Sequence, residues 1–119
     1  MAVLTVQDIV QAGLAESFTS AAENGDTFVD DGKQNTFIEV DNGSGSSINV
    51  TVNGIPSSQR VSGIGPVTVP DMVVAVAAGA RKLIGPFPGA YRTSANVVSI
   101  AYSAHASVSV RVLRCAKVD

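Results

Sequence analysis

Along most of this chain hydrophobic and polar residues alternate one for one. In Thr36-Phe37-Ile38-Glu39-Val40-Asp41, Thr36, Ile38 and Val40 share one side, while Phe37, Glu39 and Asp41 share the other. Ile48, Val50 and Val52 repeat the pattern with small polar residues between them. So do Val98, Ile100 and Tyr102, and then Val108, Val110 and Val112. A period of two sends successive side chains to opposite sides of a pleated strand, so these segments predict half-buried antiparallel strands. Val67 and Val69, Val74 and Val76, and Arg81-Lys82-Leu83-Ile84 add shorter ones. Pro70 cannot donate a ladder hydrogen bond, so Pro70-Asp71 marks an edge, a bulge or a turn between them.

Turn signals punctuate the strands. Asn42-Gly43-Ser44-Gly45-Ser46 and Ala104-His105-Ala106 read as hairpin connections, Ala78-Gly79-Ala80 as a short turn, and residues 55–66 as a loop. Seven or so short strands with regular turns predict an all-β fold, an antiparallel β-sandwich or a jelly-roll-like barrel. The first 25 residues read differently. Gln7-Asp8 to Leu14 and Ala15 to Ala22 each admit a short helix, interrupted at Gly13, and neither is long enough to be stable alone. The expected organisation is an N-terminal arm with a short helical segment over 1–25 and a single β-sandwich domain over 26–119. A length of 119 residues suits one domain.

Composition sharpens the picture. Charged residues are only 15% of the chain against roughly 25% in a typical soluble domain, which suits a surface made for contact. The net charge of −2 hides an asymmetry: residues 1–59 hold eight acids against Lys33, a net −7, and residues 60–119 hold seven bases against Asp71 and Asp119, a net +5. Opposite charges then meet either as cross-strand neighbours or across a subunit interface. Neither half carries the clustered basic patch that nucleic acid demands. No apolar run reaches the length of a membrane span, and no basic stretch followed by a long apolar run opens the chain, so neither membrane insertion nor export is expected.

Candidate chemistry is sparse. His105 is the only imidazole and sits at a turn tip between alanines, while Cys115 is the only thiol and reads as a small, partly buried hydrophobe. Asp26, Asp30 and Asp31 form the one dense acidic cluster, without the alternating oxygens of a calcium loop, and read as a solvated loop. Gly63-Ile64-Gly65-Pro66 has no helix behind it to present amides to a phosphate. We therefore expect no catalytic residues, no metal site and no cofactor: a structural protein and not an enzyme.

Two segments carry a resemblance. Asp41-Asn42-Gly43-Ser44-Gly45-Ser46-Ser47-Ile48-Asn49-Val50-Thr51-Val52, and Val74 to Pro88 with its Ile84-Gly85-Pro86-Phe87, resemble small head proteins of tailed bacteriophages. In these a strand of this type precedes a glycine-turn segment, and a valine-rich pair of strands closes the domain. The resemblance covers residues 35–113 and implies a head decoration, or cement, protein. Such a protein binds the major capsid protein on the outside of the assembled virion, commonly as a homotrimer. A tail or head-tail junction subunit is the alternative, and a carbohydrate-binding module a more distant one. Partner contacts are expected in two places. One is the N-terminal arm, where Val3, Leu4, Val6, Ile9 and Val10 offer apolar anchors for β-augmentation. The other is the loop of Pro86, Phe87, Tyr91 and Arg92, where aromatic and arginine side chains gather as hot spots do.

Overall fold

The structure is a computed structural model. It describes residues 2–9, 13–15, 17–30, 35–55, 59–61, 63, 65–67, 70–87, 91–93 and 95–115. The strands in chain order are β1 (Ala2–Val3), β2 (Val6–Ile9), β3 (Thr19–Ser20), β4 (Asp26–Val29), β5 (Thr36–Asn42), β6 (Ile48–Val52), β7 (Gln59–Val61), β8 (Gly65–Val67), β9 (Met72–Val76), β10 (Arg81–Ile84), β11 (Val97–Tyr102) and β12 (Val108–Cys115). Sheet A has the order β1-β4-β11-β6-β9. Sheet B has the order β10-β5-β12-β2, with β3 also pairing β12. β7 and β8 form a separate hairpin inside the segment that the sequence suggests is loop.

From β3 onward the chain runs through sheets B, A, B, A, A, B, A and B, counting β3, β4, β5, β6, β9, β10, β11 and β12. That is the strand order of a jelly roll. Among the described residues both sheets keep free edges, so the fold is an open β-sandwich and not a closed barrel. The alternation read from the sequence places the core. Ile38, Val40, Val108, Val110 and Val112 of sheet B, and Ile48, Val50, Val52, Val98 and Ile100 of sheet A, are all buried. Each such side chain contributes roughly 1.5–3 kcal/mol by leaving water. Phe28 and Phe87 join them with ring centroids 5.6 Å apart in a tilted contact.

Two expectations are corrected. The turns after β5 and β11 are not hairpins: each carries the chain across to the opposite sheet, as the β9–β10 turn also does. Asn42, fully buried, is what gathers these crossings. Its Nδ2 donates to Ser46 O (2.8 Å) and Val76 O (3.0 Å), and its Oδ1 accepts from Ser44 Oγ (2.6 Å). Its backbone bonds Ala80 O and Gly79 N, and the next amide, Gly43 N, donates to Ser107 O. Three crossings therefore meet on one side chain and its neighbour.

The second correction concerns residues 1–25, where no helix forms among the described residues. Ala2–Val3 pairs in parallel with β4, Val6–Ile9 pairs in parallel with β12, and Thr19–Ser20 returns antiparallel to β12. Strand pairing satisfies these backbone groups along two sheet edges, which a helix this short cannot match. Gly13 takes φ +102°, a left-handed value that interrupts any helix there. Gly25 (φ +89°) lies so close to sheet A that a Cβ would collide with the Ile100 carbonyl oxygen.

Candidate interaction face

The two outer surfaces of the sandwich differ in chemistry. On sheet B the charges of the two halves of the chain meet. Two nitrogens of Arg111 lie 2.6 Å from Glu39 Oε1, Arg81 Nε lies 3.3 Å from Asp41 Oδ2, and Arg114 Nε lies 2.6 Å from Asp8 Oδ1. Phe18 rests on this ladder, its ring centroid 5.2 Å from the Arg81 guanidinium and 4.9 Å from that of Arg111. Arg92 reaches the buried Asp30 at 3.9 Å. Each of these pairs joins an acid of the first half to a base of the second, so the sequence asymmetry resolves within the fold. The Arg114 hydrogen bond holds the Asp8 carboxyl below its usual range.

Sheet A presents the opposite. Its inward residues alternate with Thr27 and Val29 on β4, Asn49 and Thr51 on β6, Val73 and Ala75 on β9, and Val97, Ser99 and Ala101 on β11. Register sets these in rows across the sheet: Val3-Thr27-Ser99, Val29-Val97, Ala101-Thr51-Val73 and Asn49-Ala75. None of them is ionisable. Val3 (77%), Val73 (57%) and Val29 (53%) are open to solvent. The result is a five-stranded surface of small uncharged side chains.

The anchors expected from sequence fall on several surfaces. In the arm, Val3 lies on the sheet A face and Ile9 is exposed on β2, whereas Leu4 is buried in the core and Val6 packs against it. Val10 lies outside the described residues. In the loop, Pro86 is exposed, Tyr91 is half-buried against the core and Arg92 pairs with Asp30. Phe87 is fully buried on Phe28 and does not present itself to a partner. A large apolar ring at the open end of a sandwich gains more by closing the core than by standing in water. Leu4, dropped between the edges of the two sheets, follows the same logic.

Other residues also differ from expectation. Asp26 and Asp30, expected in a solvated loop, are fully buried: β4 carries Asp26 inward beneath Tyr102, and Arg92 compensates Asp30. Cys115 is exposed, because β12 has left the core by its last residue. His105 is exposed at its turn. Among the described residues no three His, Cys, Asp or Glu side chains come together as a metal site, and no helix is long and apolar enough to cross a membrane. A recess of about 450 Å³ lies beside β12, lined by Leu4, Gln7, Leu14, Thr19, Val110 and Val112 among others.

The sheet A face went unread in the sequence, though a signal for it exists. Residues 42–59, 72–80 and 93–110 contain no Asp, Glu, Lys or Arg. These three runs supply β6, β9, β11 and the connections at the Asn42 end. No known protein family, curated protein or solved structure matches the chain.

Proposed function

We propose that this chain is a non-enzymatic structural protein that binds the outer surface of an assembled bacteriophage capsid and stabilises it: a head decoration protein, acting as a homotrimer on the major capsid protein. The observation that carries the reading is the uncharged outer face of sheet A. Small Thr, Ser, Ala and Val side chains on rigid strands lose little rotamer freedom on contact and carry no charge to desolvate. Such a face suits flat, extended contact rather than capture of a small ligand. The bacteriophage shell as partner comes from the resemblance in residues 41–52 and 74–88, and those segments include β6 and the second half of β9 of the same face, along with β10 of sheet B.

The test is co-sedimentation with undecorated bacteriophage capsids. The wild-type chain pellets with the shells and raises the temperature at which they rupture. Thr51→Glu and Ala101→Glu, at the centre of the face, lose binding at least tenfold, while Glu23→Lys, exposed beyond it, binds as wild type. Equal binding by all three variants discards the face. No pelleting by the wild-type chain discards the capsid. Native mass spectrometry giving a ring of six or more would point to a tail or head-tail junction subunit instead.

A further inference from the structure

β9 forms an open edge of sheet A. Asn49, in register with Ala75, turns its backbone toward Ser103 on the opposite side of β6. The Ala75 pair is therefore a non-hydrogen-bonded one, and the N–H and C=O of Ala75, and by the same parity those of Val73, point away from β6. Among the described residues no strand pairs there. The strand itself, Met72-Val73-Val74-Ala75-Val76, is rich in β-branched residues and has neither charge nor proline, the composition that invites pairing. Charged residues and a proline bracket it. Pro70-Asp71 precedes it, with Asp71 Oδ1 accepting the Gly54 N–H at 2.8 Å, and Arg81-Lys82 follows on β10.

Lys82 has an unusual path. On β10 it stands opposite Val40, whose side chain is buried, so its stem leaves sheet B on the inner side. From there it crosses between the open edges and donates from Nζ to Ala75 O at 2.8 Å. A lysine aimed inward at a sheet edge occupies an acceptor and sets a hydrated charge where an incoming strand must lie.

We propose that the β9 edge is a strand-pairing surface for a second copy of this chain, and that Lys82 holds it closed. The second copy is the occupant because β9 is complementary to itself. Run antiparallel about a two-fold axis, the Val73 and Ala75 groups of each copy answer those of the other. The uncharged faces of the two sheets then continue into one another without opposing charges. Among the described residues the charges held on the edge itself are the two Lys82 ammonium groups, which repel, and Asp71 stands two residues before Val73.

The experiment is light scattering after gel filtration across a hundredfold concentration range. Lys82→Met and Lys82→Gln remove the charge, Lys82→Arg keeps it, and near-ultraviolet spectra establish that each is folded. Expected is a species of twice the wild-type mass for Met and Gln, and none for Arg. Val73→Pro added to Lys82→Met removes an edge donor without touching the β6 ladder and returns the wild-type mass. If both neutral variants keep the wild-type mass at every concentration, the proposal fails. If they associate and Val73→Pro does not reverse it, the edge is wrongly assigned and the proposal fails equally.

Discussion

Tyr102 donates a 2.7 Å hydrogen bond to Asp26 Oδ2, joining residues 76 positions apart on the paired strands β11 and β4. Asp26 is fully buried, and its other contact on that oxygen is a longer one from Ala22 N at 3.3 Å. Tyr102→Phe therefore removes the best donor of a buried carboxyl while keeping the ring in place. Leaving such a group short of a partner costs on the order of 1–3 kcal/mol. Chemical denaturation should show that loss as a lower midpoint with an unchanged slope.

The same bond gives a pH dependence. Burial, reinforced by the neighbouring Asp26, pushes the Tyr102 hydroxyl well above the ordinary tyrosine value of 10.0. A group whose folded pKa is raised contributes stability that is complete below its unfolded pKa and is lost as pH climbs above it. The unfolded chain ionises near pH 10 while the folded chain keeps its proton, so the melting temperature should fall above that pH. Tyr102→Phe should make the alkaline decline shallower than that of wild type. Equal slopes for the two proteins would contradict the assignment.

Asn42 is the second polar group that the core is built around. Asn42→Ala strips donors from Ser46 O and Val76 O and an acceptor from Ser44, at a position that is fully buried. At about 1 kcal/mol per hydrogen bond, with a further penalty for the stranded carbonyls, the loss is roughly 3 kcal/mol. Calorimetry should record a fall in melting temperature on the order of 10 °C. Asn42→Asp keeps Oδ1 but loses both Nδ2 donations, so it should lie near the alanine variant rather than near wild type.

Asn42 also shows where the sequence stopped being legible. The alternation around it names the dry side of each strand, and Ile38, Val40, Val50, Val110 and Val112 are buried as that pattern requires. Alternation cannot say whether the next strand lies in the same sheet or the one opposite, because the valines are buried either way. The small-residue turns at 43–47 and 103–107 fit both. What selects the crossing is a buried amide whose partners sit 34 and 35 residues away, at Val76 and Ala77. The interaction face escaped for a related reason. Its rows draw on β1, β4, β6, β9 and β11, and their lack of charge becomes one surface only after strand order is known.

Phe87 separates core from contact within one loop. Phe87→Ala should cost about 3–5 kcal/mol, the range for removing a fully buried aromatic ring, while the exposed Pro86→Ala should change stability by far less. Capsid binding measured at a temperature where both variants are folded should be unchanged by Phe87→Ala. A selective loss of binding in a stably folded Phe87→Ala chain would return this ring to the contact surface.

The N-terminal strands should be the first part of the sandwich to loosen in acid. β2 is held to β12 by four residues of parallel pairing and by the 2.6 Å contact of Asp8 with Arg114, and to the segment before β3 by Gln7 Nε2 donating to Ser17 O at 2.8 Å. The Asp8 pKa is depressed from 3.8 by that arginine, so its contribution is present above the unfolded value and fades as pH drops through the lower, folded one. Phe18, held between Arg81 and Arg111, ties down the return segment through cation–π contacts that acid leaves intact. Amide exchange in β2 should therefore accelerate below about pH 4 before exchange in the β5–β12 pair does. Asp8→Asn should bring that acceleration forward to neutral pH, and Phe18→Ala should speed exchange around β3 at every pH. Simultaneous loosening of β2 and the central strands would show that the edge has no separate stability.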